Sequence, residues 1–492
     1  MNKRFSLPAL LVLTCAVSNA FAARTDIILG VQLEPPNLDP TAGAAAAIDE
    51  VVYANIFEGL TRFGPDGSIK PALAAGWSIE DEGLRYIFGL RADATFHDGA
   101  EFSADDVKFS IDRAMADDST NAQKGLFANI DNVEIIDPLT IAINLKQPDG
   151  NLLFNLAWGD AVILDPASAA DAATHPVGTG PFKFANWVQG DRVEIVRYAD
   201  YWGKPVKLEK ATFKFISEPT AAYSAILAGD LDAFPNYPAP ENLAQLDVDP
   251  RYSVVLGSTE GETILAMNNA VAPFDDVRVR EAVVHAINRD EIIDGAMYGY
   301  GTPIGTHFAP HNPAYLDLTA QSAFDPEKSK ALLKEAGHEN DLTVTLKLPP
   351  PVYARRGGEI IAAQLRDVGI TANIENLEWA QWLEQVFKGK DFDLTIISHT
   401  EPMDIGIYAN PDYYFQYDNA DLQALMTSLN TETDPDKRTE LLQQAQQIIA
   451  DDYVNAYLFQ LARAGVANSR IKGLWENSPT QANDLTGVYW EE

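Results

Sequence analysis

Between Asp325 and Ile397 the chain alternates helix and strand patterns in an order that few architectures can accommodate. Asp325-Pro326-Glu327 supplies an N-cap, a proline at the first helical position and an anion at the positive end of the helix dipole, and Gly337 closes the helix that carries Leu332, Leu333 and Ala336. Leu342, Val344, Leu346 and Leu348 then alternate with polar residues, as a strand does. A helix bearing Ile360, Ile361, Leu365 and Val368 ends at Gly369. Residues 370–374 form the next strand, a helix follows around Trp379 to Phe387, and residues 392–397 form a third strand. This β-α-β-α-β order implies parallel strands with helices packed on both faces. Sheets of that kind bind ligands at the carboxyl ends of their strands, which makes the loop opening at Ser398 the first candidate for a site.

Other local signals are equally direct. Gly64-Pro65-Asp66-Gly67 predicts a turn, residues 86–90 alternate as a half-buried strand, and Ser103 with Asp106 three residues on predicts a capped helix whose apolar face begins at Val107. Asp275 and Asp276 open a helix with Val279, Ala282, Val283 and Ala286 inward, and residues 288–290 cap a second helix that ends at Gly299. His285 is expected to be a hydrogen-bonded packing residue. Gly257-Ser258-Thr259-Glu260-Gly261 puts a threonine where a nucleophile elbow needs serine and is expected to be a turn. His307 and His311 stand four apart, but Pro310 forbids the regular helix that would bring both imidazoles to one face, so no metal is expected there.

Lys3 and Arg4, an apolar run over residues 7–17 and then Ala20-Phe21-Ala22 predict an export signal cleaved after Ala22 and hence a periplasmic protein. Cys15, the one cysteine, lies inside that signal, and Thr14 before it argues against a lipid anchor. The exported chain therefore has neither a disulfide nor a thiol nucleophile, and no later stretch approaches a membrane span. The net charge of −35 repels phosphate backbones, which excludes nucleic acid as a partner and leaves solubility or steering of a cationic ligand as its use. No HExxH, Walker A, GxSxG or GxGxxG motif is present, so capture of a ligand is favoured over chemistry and no cofactor is expected. A secreted hydrolase working through two carboxylates and a receptor or chaperone-like module are the rival readings.

Trp379 and Trp382 share a helical face, and residues 398–418 combine His399, Glu401 and Asp404 with Tyr408, Tyr413, Tyr414, Phe415 and Tyr417. Aromatic walls with a few polar groups suit a small-molecule pocket, although aromatic clusters also form cores. The chain resembles the extracytoplasmic solute-binding proteins of ABC importers, in the peptide- and nickel-binding class (family 5). The resemblance is carried by residues 34–40 (EPPNLDP), 71–77, 96–109, 177–184 (VGTGPFKF), 198–203, 274–290, 298–303 and 324–337.

The resemblance implies an α/β fold, a two-lobed periplasmic binding protein clamshell with an inserted subdomain in the first lobe. Lobe 1 would comprise residues 23–265 plus 472–492, with the insertion at about 60–174, and lobe 2 residues 266–471. It further implies a monomer without cofactor that captures a peptide-like or other small polar solute and presents it to a permease and ATPase. A sugar, an opine or an amine is the alternative cargo. Where peptide binders of the class hold the ligand amine with an aspartate this chain has Ser398, and the carboxylate-binding arginine has no counterpart in residues 348–351, Arg355 and Arg356 coming later. The expected contacts are Trp379, Trp382, Ser398, His399, Glu401, Asp404, Tyr408, Tyr413, Tyr414 and Arg355 from lobe 2, with Glu34, Asn37, Trp158 and Thr179 from lobe 1.

Overall fold

In the computed structural model, strand Leu342–Leu348 pairs in parallel with Ile370–Asn376 on one side and Leu394–His399 on the other. The structure describes residues 24–43, 45–339, 342–401 and 403–492; the export signal, its cleavage site and Cys15 lie outside the described residues. Helix Val352–Asp367 follows the first of these strands and buries Ala354, Gly357, Gly358, Ile361 and Leu365. A Cβ at Gly358 would stand 2.4 Å from a methyl of Leu348, so glycine there lets the helix lie close on the sheet. Helix Pro326–Glu335 is capped by Asp325, whose carboxylate accepts from the Lys328 amide at 2.9 Å. The segment from Trp379 to Lys388 begins as a short α-helix and continues as a π-helix. Helices Val277–His285 and Arg289–Met297 are capped by Asp276 and Asn288. His285 is buried, its Nδ1 2.7 Å from the Ala323 carbonyl.

These strands belong to one large sheet, and two long strands carry that sheet from one lobe to the other. Tyr252–Met267 and Asn455–Asn468 pair antiparallel along nearly their whole length, with register shifts between Ser258 and Glu262 and between Thr263 and Ile264. Residues 257–261 therefore do not form a turn. They form a bulge inside the first crossing strand, where Thr259 Oγ1 donates to the Leu461 carbonyl at 3.0 Å and accepts from the Gly261 amide at 2.9 Å. Gly257 serves a close backbone approach, since a Cβ would sit 2.1 Å from the Glu476 carbonyl oxygen.

The packing changes partner on either side of the bulge. Tyr252 and Val254 pack with Ala222, Ile226, Phe234 and Leu243, whereas Ile264 to Met267 pack with Val279, Ile304, Leu394 and Tyr408. On the returning strand Ala456 to Phe459 belong to the lobe 2 cores, and Ala464, Val466 and Ala467 to those of lobe 1. The return crossing thus lies near residues 460–463, earlier than the expected 471/472, because Ile471 is buried among Ile27, Leu29 and Trp490. Within lobe 1 a separate antiparallel sheet in the order Ala74–Glu80, Arg85–Leu90, Thr140–Leu145, Ile130–Asp137 packs with helix Ala104–Met115 around its own core. That helix starts with the expected capping box, Asp106 accepting from the Ser103 amide at 2.8 Å. No helix among the described residues is long and apolar enough to cross a membrane.

Candidate functional site

A cavity of about 350 Å³ lies between the lobes, within the range of small-molecule sites. Phe63, Trp77 and Phe154 line it from lobe 1, Asn312, Met403 and Arg438 from lobe 2, and Glu260 from the bulge of the first crossing strand. The Phe63 and Phe154 rings meet edge to face at 5.3 Å. Next to the cavity the lobes touch: the Gly150 amide donates to the Asn430 carbonyl at 2.9 Å, and Arg438 Nη2 donates to Asn151 Oδ1. A Cβ at Gly150 would collide with the Glu432 carbonyl oxygen at 2.0 Å, so only glycine fits this contact as it stands.

Two charges of opposite sign face this space. Glu260 is held through one oxygen: Oε1 bonds His311 Nε2, His311 Nδ1 lies 2.6 Å from Ser258 Oγ, and the Ser258 amide donates to Asn477 Oδ1 at 3.0 Å. This series fixes the carboxylate while its Oε2 carries no protein hydrogen bond among the described residues. Arg438 stands near the start of helix Pro435–Asp451 and donates to the Leu429 and Glu432 carbonyls at 2.7 and 2.9 Å, capping the preceding helix. Burial lowers its pKa, and among the described residues no carboxylate forms an ion pair with it.

Behind the cavity wall lies a more deeply buried polar cluster. His307 Nε2 is 2.6 Å from Asp404 Oδ1, His307 Nδ1 is 3.3 Å from Glu262 Oε1, and His399 Nδ1 is 3.6 Å from Asp404 Oδ2. Burial, reinforced by the charge of Asp404, pushes the Glu262 carboxyl well above its ordinary range. Burial works to raise Asp404 as well, but the adjacent His307 outweighs it and holds that carboxyl low. His399 is pushed down by burial.

The residues expected from sequence scatter over this region. His399 and Asp404 enter the buried cluster, whereas Glu401 is exposed and accepts from the Thr400 amide at 3.1 Å. Trp382, Tyr408 and Tyr414 are core, not pocket: Trp382 Nε1 donates to Thr395 Oγ1 at 2.9 Å, Tyr408 meets Asn455 Nδ2 at 3.3 Å, and the Tyr414 hydroxyl meets His399 at 3.2 Å. Tyr413 is half-buried with its ring edge-on to Phe387, and Trp379 is exposed on the outer side of Trp382. The Ser398 amide donates to the Tyr353 hydroxyl at 3.3 Å. Arg355 is spent on the Leu377 carbonyl and the Glu378 carboxylate, at 3.2 and 3.1 Å.

In lobe 1, Glu34 accepts from Trp187 Nε1 and the Gly190 amide, which fastens a hairpin, and Asn37 accepts from the Asp39 amide in a local turn. Trp158 packs edge-on against Phe154, one layer behind the cavity. Thr179 is fully buried and donates to Glu58 Oε2 at 2.9 Å, alongside Trp202 Nε1 at 2.8 Å, with Tyr201 on Oε1 at 2.9 Å. Sequence reasoning missed Phe63, Trp77, Phe154, Glu260, Asn312, Met403 and Arg438. One signal was available for the acids of the bulge: Glu260 and Glu262 stand within four residues of the apolar run Ile264 to Met267.

Comparison with known proteins agrees with this architecture. The model of the family described as "Bacterial extracellular solute-binding proteins, family 5 Middle" matches residues 68–420. The glutathione-binding protein GsiB of Salmonella choleraesuis (strain SC-B67) is 32% identical over 375 residues, 75% of this chain and 72% of that protein. The structure of HbpA2 from Haemophilus parasuis superposes with a TM-score of 0.87 at 23% identity, covering 95% of this chain and 100% of that one. The periplasmic binding protein DppA from Helicobacter pylori, in complex with the peptide STSA, superposes with a TM-score of 0.73 at 26% identity, covering 96% and 99%.

Proposed function

This chain belongs to the bacterial extracellular solute-binding proteins of family 5, and from that premise we propose that its cargo is a short zwitterionic, peptide-like molecule held between Glu260 and Arg438. The protein is the substrate-binding component of an ABC importer: it works in the periplasm, binds its solute without transforming it, and serves a permease and an ATPase. The two lobes supply different contacts, so a ligand bridging them favours the arrangement in which both are made and shifts the population toward it.

The observation that carries the cargo assignment is the pair of opposite charges lining one cavity, Glu260 with Oε2 free of protein hydrogen bonds and Arg438 without an ion pair among the described residues. A buried charge is tolerated when it is paired, and a ligand with an amine and a carboxylate supplies both partners. This arrangement stands in for the anchors missing at Ser398 and around residues 348–351. Phe63, Trp77 and Phe154 provide apolar surface for the body of the ligand. The name of the GsiB relative, a glutathione-binding protein, supports the same class, since glutathione is a small peptide with a free amine and free carboxylates.

We place the lobe boundaries at the bulge near residues 258–262 and at residues 460–463, the export cleavage after Ala22, and the active unit as a monomer. Intact-mass measurement and light scattering of the exported protein test the last two. The cargo is tested by thermal shift with glutathione, dipeptides and tripeptides, each also N-acetylated or C-amidated. A ligand present at about a hundred times its dissociation constant adds about 2.7 kcal/mol. Unblocked peptides should shift the melting temperature and blocked ones should not. A shift with sugars alone, or equal shifts with blocked and free peptides, would overturn the assignment.

A further inference from the structure

We propose that the preferred cargo is a peptide of zero net charge bearing a large apolar side chain, and that Phe63, Trp77 and Phe154 select that side chain. This class rests on the reading in which Glu260 takes the ligand amine and Arg438 its carboxylate.

Among the described residues that line the cavity, Glu260 and Arg438 are the only side chains that carry charge. One anion and one cation match a ligand whose own charges cancel. Glutathione brings one carboxylate more than this arrangement can pair, and a carboxylate buried without a partner is costly. The net charge of −35 opposes an anionic ligand as well. A lysine or arginine side chain on the peptide would likewise place a second cation in a cavity lined by a single carboxylate.

The neutral polar groups of the wall have little left to offer. Ser68 donates to Asp66, Thr439 donates to the Pro435 carbonyl at 3.0 Å, and Asn312 accepts from the Ala314 amide at 2.9 Å while its Nδ2 meets the Met403 sulfur at 3.8 Å. Arg438 spends three of its hydrogens on Leu429, Glu432 and Asn151, which leaves Nε–H and one hydrogen on Nη2 for a carboxylate. A sugar entering here would give up more hydrogen bonds to water than the wall returns. The remaining surface is apolar and incompletely covered. Ile69, Trp77, Phe154 and Met403 are only half-buried around the cavity, with the buried Phe63 edge-on to Phe154 at 5.3 Å. A phenylalanine or leucine side chain laid against them leaves water on both sides of the contact, a gain of roughly 10- to 150-fold in affinity. An aromatic ring adds edge-to-face contact with the rings already there.

The test is titration calorimetry of the full exported chain with Ala-Ala, Ala-Phe, Phe-Ala and glutathione, and with the N-acetylated form of each dipeptide. The better of the two phenylalanine peptides should bind roughly 10- to 100-fold tighter than Ala-Ala, and tighter than glutathione. Phe154→Ala should cut the preference over Ala-Ala by roughly tenfold and leave the rejection of N-acetylated peptides, which belongs to Glu260, unchanged. Should that variant fail to fold, the ranking of ligands on the unaltered protein still decides. Equal affinity for Ala-Ala and both phenylalanine peptides, or tighter binding of glutathione, with acetylated peptides still rejected, would overturn the side-chain selection and leave the Glu260–Arg438 reading standing. Equal binding of free and acetylated peptides would overturn both.

Discussion

Glu260→Gln isolates the charge proposed to hold the ligand amine while sparing the structure around it. The glutamine carbonyl oxygen can still accept from His311 Nε2, and the bonds from His311 to Ser258 and from Ser258 to Asn477 are untouched, so the bulge keeps its local support. The substitution replaces the free Oε2 with an amide nitrogen, a donor where the ammonium needs an acceptor. A charge-assisted hydrogen bond of this kind contributes about 1.5–3 kcal/mol, which corresponds to roughly a 10- to 150-fold loss of affinity. Titration calorimetry with glutathione and N-acetylglutathione on wild type and variant gives a four-way cycle whose coupling term is the amine–carboxylate interaction alone. The free peptide should weaken by that factor, the acetylated one by less than about twofold. A coupling energy below about 0.5 kcal/mol, with both ligands weakened equally, would show that Glu260 shapes the cavity without touching the amine.

Three further outcomes follow from the contacts and burial of single residues. Thr179→Val removes one donor from the buried Glu58 carboxylate and leaves Trp202 and Tyr201 in place; the denaturation midpoint should fall by the equivalent of about 1 kcal/mol with solute affinity unchanged, and a selective loss of affinity would return Thr179 to the site. Trp382→Phe costs the bond to Thr395 and some packing, about 2 kcal/mol by denaturant titration, again without effect on binding. His97 is pushed down to about 4 by burial, with Nδ1 accepting from the Gly178 amide at 3.2 Å and Nε2 2.9 Å from the Gly180 carbonyl. Because the unfolded chain takes up this proton near pH 6.5 and the folded one near pH 4, the folded state is favoured in full above pH 6.5. Stability is then lost as pH falls toward 4, by at most about 3 kcal/mol. His97→Gln should flatten that part of a melting-temperature profile, and an unchanged slope would refute the assignment.

Much of the fold was legible because its determinants are local. The cap at Asp325, the capping box at Ser103, the alternation of residues 342–348 and the glycine ending at Gly369 each act within a few residues of where they are read. The bulge was misread for the opposite reason. Gly257 and Gly261 have the composition of a turn, but Gly257 is required by the Glu476 backbone, a contact that exists only after the C-terminal segment meets the first crossing strand. Burial of Trp382, Tyr408 and Tyr414 was likewise undecidable from spacing: an aromatic at a pocket and an aromatic in a core share the same pattern, and the deciding partners, Thr395, Asn455 and His399, come from three different strand positions.

The cleft itself is hidden from sequence more thoroughly than the core, and for a physical reason. A core residue needs only to be apolar at the right period, whereas a charge at a two-lobed cleft is made useful by what the opposite lobe leaves unpaired. Arg438 illustrates this. Within its own lobe it looks like a helix-capping cation, satisfied by the carbonyls of Leu429 and Glu432. Only the approach of Asn151, 287 positions away, makes it part of a wall, and only the lack of an ion pair to it among the described residues leaves its charge for a ligand. Arg355, chosen from sequence because it lies near the expected stretch, is disqualified by the same criterion, since Glu378 already neutralises it. What distinguishes the two arginines is whether their charge has been spent, and that is a property of the packed molecule.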